Sequence, residues 1–94
     1  MDNLLRSRLI EHLMPFHPNR IGVFGSFARG ENLPDSDLDV LISFSTPISL
    51  LQLVQLEQAM SDALGVKVDL VTENSLRNPR LRQYIERDLI RIYG

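Results

Sequence analysis

Residues 25–31 read Gly-Ser-Phe-Ala-Arg-Gly-Glu, and the stretch Asp-Leu-Asp follows at residues 37–39. The first stretch comes directly after the apolar residues 21–24, and the second leads into the apolar residues 40–42. A strand that ends in Gly-Ser and continues into a helix offers free backbone amides, which bind phosphate groups. Two acids one residue apart on the next strand point to the same side and suit a divalent metal ion. Together the two stretches predict a site for a metal-bound nucleoside triphosphate.

Length and composition predict one small domain that spans residues 1–94. The chain has 94 residues, of which 44% are hydrophobic, and this is enough for one modest core. Its formal net charge of -2 weighs against nucleic-acid binding through bulk electrostatics, so direct nucleic-acid binding is not expected. The arginines that cluster near the C-terminus form either a solvated helix face or a docking surface for an acidic partner.

Cysteine content and apolar runs restrict the function further. The chain has no cysteine, which excludes a disulfide framework and thiolate-bound metal, and is compatible with a cytoplasmic location. The N-terminus shows no signal-peptide pattern, and no apolar run reaches the roughly 18 residues that a membrane-spanning helix needs. We therefore expect no membrane association.

Apolar spacing and turn residues predict alternating helices and strands. The predicted helices cover residues 3–14, 26–30, 49–64 and 80–92, and the predicted strands cover residues 20–24, 37–44 and 66–71. Asp2 or Asn3 is expected to cap the first helix, while Ser49 and Gly65 mark the ends of the third. The apolar residues of the third helix cover more than one stripe of its surface, which suggests that the helix contacts more than the domain's own sheet.

The Gly25-Ser26 pair has two interpretations from the sequence. Gly25 has no side chain to block a phosphate, and Ser26 adds a hydroxyl group. The alternative is an ordinary strand-to-helix turn with a serine cap.

Three aspartates lie at the start of, or within, predicted strands. Asp37 and Asp39 have the spacing that lets both carboxylates approach one Mg2+ ion, although a solvated strand end is the alternative. Asp39 is flanked by apolar residues, where a carboxylate is costly unless a metal or hydrogen bonds satisfy it. Asp69 lies in another apolar strand, and it would complete a cleft of three carboxylates if the two strands are neighbours. It would then suit a general base, whereas an edge-strand acid facing water is the alternative.

The motifs taken together resemble the nucleotidyltransferase superfamily related to DNA polymerase beta, and specifically its minimal, single-domain branch. The matching segments cover most of the chain: residues 25–26, 28–31, 36–40 and 68–70, with a C-terminal end that resembles the family's closing helix. The resemblance implies an α+β fold with a small mixed β-sheet flanked by helices. The second domain with which larger relatives hold base and acceptor is not expected in these residues.

The resemblance also implies roles for individual residues. Asp37, Asp39 and Asp69 would be the catalytic residues and the Mg2+ ligands, and Asp69 would also activate the acceptor. Gly25 and Ser26 would hold the outer phosphates of ATP. Arg29 and Gly30 belong to the same motif and are counted among the nucleotide-binding residues, although Arg29 is equally able to pair with Glu31 or with an acid of the cleft.

Minimal nucleotidyltransferases of this kind resemble the antitoxins of HEPN/MNT toxin–antitoxin pairs, which implies a HEPN-domain ribonuclease as partner. The implied reaction is the transfer of AMP from ATP to a tyrosine hydroxyl of that toxin. A binding module that blocks its partner sterically without catalysis is one alternative. Transfer to a small molecule is another.

Overall fold

The computed structural model describes residues 1–94 as eight main elements joined by short turns. The four helices are α1 (Asn3–Leu13), α2 (Gly25–Arg29), α3 (Leu50–Leu64) and α4 (Pro79–Asp88), and the four strands are β1 (Pro18–Phe24), β2 (Leu38–Phe44), β3 (Val68–Thr72) and β4 (Ile90–Tyr93). Short 3-10 turns occupy Met14–Phe16 and Glu73–Ser75. None of the helices has the length and apolar content needed to cross a membrane.

The four strands form one mixed sheet in the order β3-β2-β1-β4. β1 runs antiparallel to both β2 and β4, whereas β2 and β3 run parallel. The α+β prediction, a small mixed sheet flanked by helices, is therefore confirmed. Because of these directions, the C-terminal end of β1 lies at the same edge of the sheet as the N-terminal ends of β2 and β3.

Both faces of the sheet are covered. On one face, side chains of α1, α2 and α3 pack with the sheet in a main core that includes Leu9, Phe27, Met60, Val40 and Ile42. On the other face, a smaller cluster joins the sheet to α4 and the turn before it, and consists of Phe24, Leu41, Leu76 and Ile85. The predicted alternation along β2 is confirmed, since Leu41 packs on the opposite face from its two neighbours.

The helix caps follow the sequence closely. The Asp2 side chain accepts a hydrogen bond from the Leu4 amide at the start of α1. At the start of α3, Ser49 and Gln52 exchange side-chain and backbone hydrogen bonds in a capping box, and Gly65 ends the helix in the left-handed conformation. These contacts confirm Ser49 and Gly65 as the ends of the third predicted helix.

The prediction of one helix over residues 80–92 is wrong in its last third. The helix ends at Asp88, Leu89 is extended, and Ile90–Tyr93 forms β4, which pairs with β1. The expected closing helix is therefore a helix followed by an edge strand. The apolar spacing of Leu81, Ile85 and Leu89 fits a helix. Ile90 and Ile92, however, are β-branched and favour a strand where they can hydrogen-bond to the unpaired side of β1.

Candidate nucleotide site

Strand register brings the predicted site residues together. Across the sheet Phe24 of β1 is paired with Asp39 of β2, and Asp39 is paired with Asp69 of β3. Neighbouring strands lie about 4.8 Å apart, so the two aspartate side chains are adjacent on one face of the sheet. Gly25 follows Phe24 directly, which places the Gly-Ser turn at the same edge. Asp37 lies one residue before β2 and two positions from Asp39, near enough for its charge to act on Asp39.

Gly25 is required at its position for two reasons. Its φ of 72° lies in the left-handed region, which side chains rarely adopt. A Cβ atom at this position would also collide with the Asp39 Oδ2 atom. The glycine therefore lets the backbone at the start of α2 approach the Asp39 carboxylate directly.

Ser26 does not cap α2. Phe24 occupies the N-cap position and makes no side-chain cap bond, and Ser26 is a half-buried residue inside the helix. The serine cap expected in that alternative is therefore wrong, although the segment is a strand-to-helix turn. Since α2 has only five residues, it offers a phosphate the local backbone amides of the turn rather than a long helix dipole.

The electrostatic state of Asp39 reflects a concentration of negative charge. Burial raises the pKa of the half-buried Asp39 carboxyl, and the charges of Asp69 and Asp37 raise it further, while Arg29 acts in the opposite direction. The nearest cation to Asp37 is Lys67, whose Nζ lies 3.8 Å from Asp37 Oδ2. The cluster would therefore gain from a bound cation.

The three aspartates do not form a ready-made metal cage. No group of three or more His, Cys, Asp or Glu side chains is arranged to hold a metal ion. Mg2+, however, binds through one or two carboxylates and completes its octahedral shell with water and phosphate oxygens. The crowded carboxylates beside the Gly25 turn fit an ion that arrives together with a triphosphate. The ligand roles of Asp37, Asp39 and Asp69 stay predictions.

Arg29 is paired with two carboxylates. Its Nε donates to Glu31 Oε2 at 3.1 Å, and its Nη1 donates to Asp88 Oδ2 at 2.9 Å. The pairing with Glu31 is one of the two interpretations given to this arginine. Gly30 ends α2 with a φ of 71°, and an added Cβ atom would meet nothing within 4 Å. A glycine is favoured here because of the left-handed backbone and not because of close neighbours. Nucleotide binding by these two residues stays a prediction.

Sequence reasoning missed two residues next to the site, Lys67 and Asp88. The position of Lys67 depends on the parallel pairing of β2 with β3, where the Leu38 amide donates to the Lys67 carbonyl. Asp88 reaches Arg29 from the end of α4, 59 positions away in the chain. No local pattern signals either contact, because both depend on tertiary structure.

Comparison with known proteins agrees with this geometry. A family model described as nucleotidyltransferase domain matches residues 6–92. The chain therefore belongs to the nucleotidyltransferase domain family, and the resemblance found in its motifs is confirmed.

The similar proteins bear more specific names. The chain is 46% identical over 92 residues to the Methanocaldococcus jannaschii protein named "Putative protein adenylyltransferase MJ0126", covering 98% of this chain and 94% of that one. It is 40% identical over 78 residues to protein adenylyltransferase MntA of Thermococcus cleftensis, covering 83% and 79% of the two chains.

A solved structure confirms the fold. It is described as a tri-AMPylated Shewanella oneidensis HEPN toxin in complex with MNT antitoxin, and its matching chain superposes with a TM-score of 0.81 at 23% identity. The match covers 100% of this chain and 73% of the other. At this level of identity the likeness shows a shared fold.

Proposed function

We propose that this chain is a Mg2+-dependent nucleotidyltransferase that transfers AMP from ATP to a tyrosine hydroxyl of a partner HEPN ribonuclease toxin, and so acts as its antitoxin. The observation that carries the proposal is the register Phe24–Asp39–Asp69, which places the Gly-Ser turn and the acidic cluster at one edge of the sheet. The names of its relatives, protein adenylyltransferases, support the reaction class.

The substrate side of the site is formed by the turn and the acids. The backbone of Gly25 and Ser26 would bind the outer phosphates of ATP, because the glycine leaves room for a close approach. Asp37, Asp39 and Asp69 would hold Mg2+. When bound, this ion would neutralise charge on the triphosphate and on the crowded carboxylates.

The acceptor side is formed by Asp69, whose side chain is exposed while its neighbours Val68 and Leu70 are buried. Its carboxylate would accept the proton of an incoming hydroxyl group. The hydroxyl oxygen then forms a bond to the α-phosphorus of ATP, and the bond from that phosphorus to the pyrophosphate oxygen breaks. The products are an AMP ester of the acceptor, pyrophosphate and a proton held by Asp69.

A partner protein would supply the acceptor. The described HEPN toxin in complex with an MNT antitoxin carries AMP groups, which supports a toxin as acceptor for a chain of this fold. The helix singled out by its wide apolar set, α3, exposes Leu50, Leu51 and Val54. Its contact with the partner stays a prediction. We place the reaction in the cytoplasm, where ATP and Mg2+ are available to such a pair.

Label transfer tests the proposal. The chain is incubated with Mg2+ and ATP labelled at the α-phosphate, with and without the proposed HEPN toxin partner. We expect label on the toxin, and its loss in Asp39→Asn because the central carboxylate is removed. Asp62→Asn is the matched control, since Asp62 lies exposed on α3, and it should transfer label normally.

The same experiment separates the proposal from the steric alternative. A tight complex that carries no label, with inhibition of the toxin by wild type and Asp39→Asn alike, would mean that the chain acts by binding alone. Label on a small-molecule acceptor without the toxin would redirect the proposal to that substrate class.

A further inference from the structure

An ion pair joins the end of the site helix to a distant part of the chain. Arg29, the last residue of α2, donates through Nη1 to Oδ2 of Asp88, the last residue of α4. The Asp88 side chain is only 16% exposed, and that of Arg29 is 34% exposed. This charged hydrogen bond is thus partly shielded from water and is more effective than an ordinary surface pair.

α2 has few other means of keeping its position. It has five residues, of which Phe27 alone is buried, and the partly buried Ala28 packs beside it against the main core. Beyond it, residues 30–37 form a connection without helix or strand. At its start Gly25 lies against Asp39, and at its end Arg29 is held by Asp88. The position of the Gly25–Ser26 turn therefore depends on the packing of Phe27 and on one contact at each end of a short helix.

We propose that Asp88 is a positioning residue of the nucleotide site. Through Arg29 it fixes α2 to the end of α4, and with α2 it fixes the turn that would face the phosphates. The effect on nucleotide binding rests on the function proposed above. Arg29 is also near enough to Asp39 for their charges to interact. The two ends of α2 are thus electrostatically connected.

Glu31 provides a matched comparison on the same guanidinium group. It bonds Arg29 Nε at 3.1 Å, but it lies two positions along the same segment and its side chain is 68% exposed. Glu31 therefore balances the charge of Arg29 without joining α2 to another element. If the ion pair with Asp88 holds α2 in position, loss of the Asp88 carboxylate loosens α2 and loss of the Glu31 carboxylate does not.

The first measurement is residue-resolved hydrogen exchange on the full chain without nucleotide, for wild type, Asp88→Ala and Glu31→Ala. We expect faster exchange of the Gly30 and Glu31 amides, which bond the carbonyls of Phe27 and Ser26, in Asp88→Ala only. Asp88→Glu should restore the protection. Arg87→Ala controls for the weaker contact at 3.8 Å between Arg87 and Asp88 and should leave exchange unchanged. Equal exchange in the Asp88 and Glu31 variants would overturn the proposal.

The second measurement is steady-state AMP transfer to the toxin. Asp88→Ala should raise KM for ATP about fivefold with kcat within about twofold, because it loosens binding without removing a reacting group. Asp88→Glu should return KM towards wild type, and Glu31→Ala should change it little. A lower KM in Asp88→Ala would overturn the proposal, since Asp88 would then be withholding Arg29 from the nucleotide.

If wild type transfers no AMP, the proposed function fails, whereas the exchange comparison still decides whether Asp88 fixes α2. Should Asp88→Ala not fold, Asp88→Asn replaces it in both measurements.

Discussion

Gly25 combines a left-handed backbone conformation with a close approach to the Asp39 carboxylate of the candidate site. Gly25→Ala would place a side chain in the left-handed region, at a cost of about 1–2 kcal/mol, and would also push Asp39 Oδ2 out of its position. We expect AMP transfer to fall at least tenfold, on the order of the effect of displacing a reacting group. Transfer of labelled AMP to the toxin measures this loss.

Gly65 offers the matched control for that prediction. Its φ of 70° is nearly the same, but an added Cβ atom would meet nothing within 4 Å. Gly65→Ala should therefore lose a similar amount of stability in chemical denaturation and retain its transfer rate. Similar transfer rates for the two variants would mean that the close approach of Gly25 to Asp39 has no part in catalysis.

Asp39 is expected to destabilise the metal-free fold at neutral pH. Burial and the neighbouring Asp69 and Asp37 raise its pKa in the folded state, so the folded protein binds this proton more tightly than the unfolded chain. Stability then falls as pH rises through the raised pKa, and it is recovered as pH falls. In EDTA, Asp39→Asn should have a higher thermal midpoint than wild type at pH 7, with the difference shrinking in acid.

Thermal unfolding from pH 7 down to the ordinary range of aspartate tests this sign. Asp62→Asn on α3, away from the cluster, serves as control and should show no gain. A lower midpoint for Asp39→Asn at neutral pH would show that the carboxylate stabilises the metal-free fold instead. The site residue would then have a structural role that the charge distribution does not indicate.

At the scale of elements, side chains of α3 accept hydrogen bonds from backbone amides of the edge strand β3. The Val68 amide of β3 donates to Ser61 Oγ at 2.9 Å, and the Leu70 amide donates to Glu57 Oε2 at 2.8 Å. Both acceptors lie on α3, and Val68 is 1% exposed. Two side chains thus take the place of a further strand along this edge.

Ser61→Ala should therefore destabilise the fold. It leaves a buried amide without a partner, which costs about 1–3 kcal/mol, and urea denaturation measures the change in unfolding free energy. Glu57→Gln is the milder comparison, because its amide oxygen can still accept from Leu70. If Ser61→Ala were no more destabilising than Glu57→Gln, the edge amide would have found another partner.

The C-terminal elements show where local sequence patterns fail. Helical spacing identified α4 but continued it through β4, because no proline or glycine separates Asp88 from Ile90. The change depends on pairing with β1, a contact between distant parts of the chain. In contrast, caps such as Ser49 are local and were predicted from sequence.

For the whole molecule, the sequence supplied the three aspartates and the Gly-Ser turn because each follows a local strand pattern. Their convergence requires the order and directions of the strands, which the family resemblance suggested and local periodicity alone does not determine. The ion pair of Asp88 with Arg29 joins residues that are 59 positions apart in the chain, and no local sequence pattern signals it. Prediction from sequence thus placed these residues correctly on or beside strands, and it missed the tertiary contacts around them, while their roles stay predictions.

Because the proposed nucleotide site draws on β1, α2, β2 and β3, ligand binding should stabilise the entire fold. Mg2+ with ATP at 100 times its Kd should add about 2.7 kcal/mol to the free energy of unfolding, which a thermal or urea transition measures. ATP in EDTA should add much less, since the carboxylates then face the triphosphate without a cation between them. Asp39→Asn, more stable than wild type without ligand, should gain little from Mg2+ and ATP, so that the order of the two proteins reverses. An equal gain in both proteins would place the nucleotide away from the edge where Asp39 and Asp69 meet.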